Sequence, residues 1–126
     1  MHRKGNVLVV DDERFILQMT KDLLEKAGYR VATATNTIGA GYQLKDFDPD
    51  LVVLDIMLPG SLSGDQACDT LRAFKPELKI VFYSGVDEIQ LKELGEKHRA
   101  DACVSKAWRP TVLLETIDRL LGHEGP

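Results

Sequence analysis

Cysteine is scarce in this 126-residue chain, with only Cys68 and Cys103. Two thiols are too few for a disulfide framework, and they lack the close spacing of a zinc site. Aromatic residues make up 6% of the chain and include a single tryptophan. No apolar run approaches the roughly 20 residues that a membrane-spanning helix needs. Met1-His2-Arg3-Lys4-Gly5 leads into a four-residue apolar run, too short for a secretory core. Positive charge is not in excess: 16 basic against 20 acidic residues give a net charge of −4. Binding to a nucleic-acid backbone is therefore not the main task. Neither G-x-x-x-x-G-K-[ST] nor G-x-G-x-x-G occurs, which disfavours nucleotide binding. His2, His98 and His123 have no ligand spacing and read as surface residues. These absences point to a cytoplasmic protein with no membrane segment.

What is present is the composition of a globular domain, 44% hydrophobic and 29% charged. The length suits one domain, expected over 1–126 with its core at about 5–121 and no room for an output domain after Leu121. Short β-branched runs alternate with helical patterns. Strands are expected at Val7–Val10, Arg30–Ala34, Leu51–Leu54, Lys79–Tyr83 and Ala102–Val104. The second is polar enough for an edge, and the third is apolar enough to be central.

Helices are expected over Glu13–Ala27, Thr37–Phe47, a third ending near Phe74, a fourth ending near Lys97, and a last one from Pro110. The first carries Phe15, Met19, Leu23 and Ala27 at i, i+4 spacing and closes at Gly28. Gly39 and Gly41 weaken the second. Ser63-Gly64-Asp65-Gln66 fits a capping box opening the third, and Asp87-Glu88-Ile89-Gln90 a similar cap for the fourth. The last helix starts with proline at a favoured position and buries Leu113, Leu114, Ile117, Leu120 and Leu121. Strict alternation of strand and helix implies an α/β fold, a doubly wound five-stranded parallel sheet with five helices.

Four of the strand runs end in polar residues: Asp11-Asp12, Asp55, Ser84, and Ser105-Lys106. Ligands of such sheets sit at the carboxyl ends of the strands. The fold therefore gathers three carboxylates, a hydroxyl and an ammonium at one edge. Unpaired, the carboxylates repel, and at least one takes a raised pKa. A divalent cation resolves this, and hard oxygen ligands suit Mg²⁺. Lys106, Ser84 and the metal together match the three oxygens of a phosphoryl group on a carboxylate.

In this order and spacing the residues resemble the receiver domain of two-component response regulators. Asp11-Asp12, Asp55 with Pro59 four residues on, Ser84 and Lys106 carry the resemblance, which covers nearly the whole chain. It implies a flavodoxin-like sheet of order 2-1-3-4-5. It implies Asp55 as phosphoacceptor, Asp12 and Asp55 as metal ligands, Asp11 acting mostly through water, and the backbone carbonyl of Met57 as a further ligand. Ser84 and Lys106 would contact the phosphoryl oxygens. The donor would be a sensor histidine kinase or a histidine phosphotransfer protein. The output would be altered protein–protein binding as a monomer or a phosphorylation-dependent dimer. The protein would catalyse only its own phosphorylation and slow dephosphorylation, since the Met57 thioether is no general base.

The chain departs from the family pattern in four places. Cys103 stands where an aromatic residue is usual, three before the lysine. Proline comes four residues after the lysine, at Pro110, rather than directly after it. Gly64 falls one residue later than the usual glycine. Ala107-Trp108-Arg109 fills the space before Pro110 and offers Trp108 and Arg109 as partner-binding residues, with Tyr83 as a substitute switching ring. Two other functions fit the same residues. A degenerate receiver would keep Lys106–Asp55 as a structural ion pair and act as a constitutive binding module. An aspartyl-nucleophile phosphatase would want a second Asp where Met57 stands, and a cap domain besides.

Overall fold

The computed structural model describes residues 4–57 and 64–123. The elements alternate throughout: β1 Asn6–Val10, α1 Arg14–Lys26, β2 Arg30–Ala34, α2 Thr37–Asp46, β3 Leu51–Leu54, α3 Gly64–Phe74, β4 Lys79–Ser84, α4 Glu88–His98, β5 Ala102–Ser105 and α5 Pro110–Leu120. All neighbouring strands are parallel, in the order β2-β1-β3-β4-β5. The polar β2 lies at an edge, and the wholly buried β3 lies at the centre.

The pleat sends alternate strand residues to two cores. Leu8, Val10, Val52, Leu54, Ile80 and Phe82 meet α2, α3 and α4 on one face. Val7, Val9, Leu51, Val53, Val81, Tyr83 and Val104 meet α1 and α5 on the other. Strands buried on both faces must be apolar at every position, which is why the runs read as continuous rather than alternating.

Local signals explain most element ends. Asn36 caps α2, its side chain accepting the Gly39 N–H at 2.8 Å. That cap lets α2 form despite Gly39 and Gly41. Asp87 caps α4 in the same way, accepting from Gln90 at 2.9 Å. Gly28, at φ 106°, follows α1 in the left-handed region that favours glycine. Pro110 opens α5 as expected. The capping box at Ser63 lies outside the described residues.

Helix α1 differs from expectation in the face it buries. Leu17, Thr20 and Leu24 point inward, whereas Phe15 is 78% exposed. A four-residue row drifts by about 40° per step, so the row that starts at Phe15 begins nearly opposite Leu17 and only nears the buried face by Ala27. Helix α5 buries Leu113, Thr116 and Ile117, and leaves Leu114, Leu120 and Leu121 half-buried.

The chain's two described ends meet at the edge of the sheet opposite the strand carboxyl ends. Lys4 Nζ pairs with Asp118 at 3.1 Å, and Tyr29 donates its hydroxyl to the same carboxylate oxygen at 2.5 Å. His123 Nε2 lies 2.6 Å from the Lys4 carbonyl, with its ring edge-on to Tyr29. His98 is no surface residue either: its side chain is largely covered, and Nδ1 sits 2.9 Å from Asp69. Among the described residues no helix is long and apolar enough to cross a membrane.

Candidate phosphoryl and metal site

The ladder continues past the strands and fixes the acidic residues. Asp11 N–H donates to Ala34 at 3.1 Å, and Asp55 N–H donates to Val10 at 3.0 Å. Each carboxylate then divides its oxygens in the same way. Asp11 Oδ1 accepts the Glu13 N–H at 2.9 Å, and Asp55 Oδ1 accepts the Met57 N–H at 3.0 Å. These local turns, in which an aspartate accepts from the backbone two residues on, hold both side chains still. The second oxygens face one cation: Lys106 Nζ lies 2.7 Å from Asp11 Oδ2 and 3.0 Å from Asp55 Oδ2.

Lys106 is itself placed by the sheet, its N–H donating to the Ser84 carbonyl at 2.9 Å where β4 and β5 end. Glu13 Oε1 is a third anionic partner at 3.2 Å. Sequence reasoning overlooked Glu13, although a third acid directly after the Asp11-Asp12 pair was a visible signal. Glu13 stands at the N-cap position of α1 without a side-chain capping bond, which leaves its carboxylate to Lys106. Asp12 is exposed, and among the described residues it makes no side-chain hydrogen bond or ion pair. Ligand atoms of Asp11, Asp12 and Asp55 nevertheless all lie within 4.8 Å of one another.

Burial sets the electrostatics. It raises the Asp11 carboxyl above its ordinary 3.8, helped by the nearby Asp55 charge and opposed by Lys106 and the Glu13 N–H. Burial works to lower the Lys106 ammonium, but bonds to Asp11 and Asp55 outweigh it, and its pKa is raised. Lys106 therefore stays charged at every physiological pH.

Ser84 is fully buried at the same edge, its hydroxyl accepting from the Val86 N–H at 3.4 Å. Met57 is 65% exposed, and among the described residues its carbonyl has no hydrogen-bond partner. All five predicted side chains of the site thus come to one strand edge, with Asp12 open to solvent and the rest covered. A groove of about 700 Å³ between α2 and α3 shares no lining residue with them.

The fold and the spacing together meet a family description. A model of the response regulator receiver domain matches residues 7–118. The chain belongs to the receiver domain family of two-component response regulators. This receiver domain is 32% identical over 115 residues to the chemotaxis protein CheY of Thermotoga maritima, covering 90% of this chain and 95% of that one. It is 38% identical to the alkaline phosphatase synthesis transcriptional regulatory protein PhoP of Bacillus subtilis, covering 91% of this chain but only 48% of PhoP. The crystal structure of a CheY-like receiver domain protein from Methanospirillum hungatei superposes with a TM-score of 0.84 at 28% identity, covering 93% of each chain.

Against that family the departures take physical form. The Cys103 thiol donates to the Leu91 carbonyl of α4 at 3.5 Å. A Cβ built at Gly95 would fall inside the radius of its sulfur. Burial, aided by Glu96, raises the thiol pKa, and the sulfur fills the space against α4. Tyr83 is buried against α1 and α5, on the sheet face opposite Cys103, and does not replace the missing ring. Trp108 is 39% exposed and bonded through its indole N–H to Glu88 Oε1 at 2.7 Å. Arg109 is exposed and stands directly before α5, with no side-chain capping bond.

Proposed function

We propose that this receiver domain accepts a phosphoryl group on Asp55 from a phosphohistidine of a sensor histidine kinase or histidine phosphotransfer protein. The observation that carries the reading is the division of labour at Asp55. One oxygen is tied to the Met57 N–H, and the other faces Lys106 at 3.0 Å beside two further carboxylates. In the transfer an Asp55 oxygen forms the new P–O bond while the P–N bond of the donor breaks, and the imidazole leaves with that electron pair. Lys106 holds its charge against the oxygens that gain charge, and Ser84 offers a hydroxyl proton to one of them.

The donor set of hard carboxylate oxygens fits Mg²⁺ held by Asp11, Asp12 and Asp55, with the Met57 carbonyl as the further ligand. When bound, the ion supplies neutralisation of the carboxylates and of the transferred group. The gathering of carboxylate oxygens from three residues within 4.8 Å, where an ion pair with Lys106 would use one, favours this reading over a constitutive binding module. Met57 offers no proton acceptor for an attacking water, so hydrolysis is slow and the protein is no turnover enzyme. Exposed Phe15, Met57 and Trp108, each two or three residues past a site acid or lysine, suit an apolar protein donor rather than a small one. Output follows by altered protein binding in the cytoplasm, as a monomer or a phosphorylation-dependent dimer.

Intact-mass measurement after incubation with acetyl phosphate and Mg²⁺ tests the reading. One acid-stable, alkali-labile adduct is expected, and it should be absent in Asp55→Asn. No adduct would return the protein to a constitutive binding module, and rapid multiple turnover would make it a phosphatase.

A further inference from the structure

A polar hollow lies between α1 and the edge strand β2, apart from the carboxylates at the strand ends. Arg14, Leu17, Gln18 and Lys21 follow the three- and four-residue steps that share one helix face. Val31 belongs to the core under α1 and α5, and strand alternation puts Thr33 and Thr35 on the same side as Val31. The helix face and the two threonines therefore look at each other across a cavity of about 260 Å³. Leu17, 7% exposed, forms its floor. Arg14 and Lys21 stand two turns apart, roughly 10 Å along the axis.

The polar groups of this hollow have no partners of their own. Among the described residues, no hydrogen bond or ion pair engages the side chains of Arg14, Lys21, Thr33 or Thr35. Lys21 and Thr33 are half-buried all the same. The chain carries a net charge of −4, so acids to neutralise the two cations are not in short supply. Those adjacent in sequence are engaged elsewhere. Glu13 turns to Lys106 at 3.2 Å, and Asp22 accepts the Gln18 amide N–H at 2.8 Å without lining the cavity. Two like charges face one cavity with nothing of opposite sign inside it.

We propose that this cavity binds the phosphate group of a small phosphate monoester. Such a group carries between about 1.5 and 2 negative charges near neutral pH and offers three strong acceptor oxygens. Its charge matches the two cations. Arg14 presents a planar fork to two oxygens, and Lys21 a point charge to the third. The Thr33 and Thr35 hydroxyls and the second amide N–H of Gln18 complete the donor set. A single carboxylate has one charge and would leave one cation unmet. The volume lies below the roughly 300–1,000 Å³ of cavities that enclose drug-sized ligands. A short organic remainder fits against Leu17, and a longer one projects into solvent. Because no lining residue belongs to the strand-end site, binding here is independent of Asp55 as phosphoacceptor.

Glycerol phosphate is the probe, titrated without divalent cation and at constant ionic strength into isotope-labelled wild type, Arg14→Gln, Lys21→Gln and Asp55→Asn. Backbone amide shifts are followed by nuclear magnetic resonance. Saturable shifts are expected at Arg14–Lys21 and Thr33–Thr35, in wild type and in Asp55→Asn alike. Arg14→Gln and Lys21→Gln should each weaken binding roughly fivefold, the loss of one partly exposed charge pair. Succinate, which spreads its charge over two carboxylates, should bind more weakly than glycerol phosphate. Lys21→Gln should still form the acetyl phosphate adduct as wild type does. Shifts confined to the surroundings of Asp11, Asp55 and Lys106 would overturn the proposal. So would an affinity unchanged in both glutamine variants, or succinate binding as tightly as the monoester. Each of those outcomes leaves the phosphoacceptor reading standing.

Discussion

Replacing Lys106 with methionine keeps the stem and removes the one cation that two buried carboxylates share. The pairs at 2.7 and 3.0 Å represent roughly 6 and 5.5 kcal/mol of gross attraction at an effective dielectric of about 20. Most of that offsets the cost of desolvating three charges, so the net loss on removing one partner is about 3–5 kcal/mol. Protonation limits the loss, because a carboxylate stripped of its cation can take up a proton instead. The Asp11 carboxyl is already raised by burial with Lys106 present, and it rises further without it.

A raised acid binds protons more tightly folded than unfolded. Stability of Lys106→Met therefore falls as pH climbs above the ordinary aspartate range near 3.8. Thermal denaturation without divalent cation should show a deficit of about 10–20 °C at about pH 7.5, and roughly half that at about pH 5. Mg²⁺ should stabilise the variant more than wild type, since no lysine competes for Asp11 and Asp55. A deficit below about 1 kcal/mol at about pH 7.5, or one unchanged at about pH 5, would refute the account of Lys106 as the counter-ion of a strained acidic pair.

Gly95→Ala should destabilise by about 1–2 kcal/mol, overpacking against the Cys103 sulfur outweighing the better helix propensity of alanine. In a Cys103→Ala background the same change should be neutral or stabilising, and chemical denaturation of the four proteins gives the coupling directly. Arg72→Ala should cost about 2–3 kcal/mol. It removes a 2.6 Å pair with Asp101 and the bond to the Arg99 carbonyl that closes α4. Hydrogen exchange should show the loss at the α4 C-terminus rather than at the site. Alkaline titration followed by circular dichroism should reveal two groups that fail in the same direction. The raised Lys106 contributes fully below its ordinary 10.5 and less as pH rises beyond it. Tyr29, raised by burial and by Asp118, resists ionising in the fold and opposes folding above pH 10. Tyr29→Phe should therefore soften the alkaline transition while lowering stability by about 1 kcal/mol at neutral pH.

The sheet was legible because each strand's burial is recorded in a run of adjacent apolar residues; how apolar each run was placed the centre and one edge, and the full order came from the family resemblance. Leu51–Leu54 announced the centre, and Arg30–Ala34 announced an edge. The site was legible for a related reason: a parallel sheet collects the residues that follow its strands, so Asp11, Asp55, Ser84 and Lys106 were adjacent before any contact was known. Helix faces were harder. In α1 the four-residue row from Phe15 starts on the side nearly opposite Leu17, and the three-then-four step through Leu17, Thr20 and Leu24 that marks the buried face was passed over. Contacts between elements left no trace: nothing near Trp108 names Glu88, and nothing near Gly95 names Cys103, because tertiary packing rather than spacing brings each pair together.

The meeting of Lys4 with Asp118 and His123 puts both described ends of the fold at the pole away from the carboxylates. A fluorophore, a surface tether or a second protein fused there would leave the mouth of the site clear of obstruction. The same proximity makes the chain a candidate for circular permutation, since a short linker could join those ends and new ones could be cut elsewhere. Cut at Gly85, such a permutant would open the chain between β4 and α4 while leaving Asp11, Asp55 and Lys106 on intact strand ends.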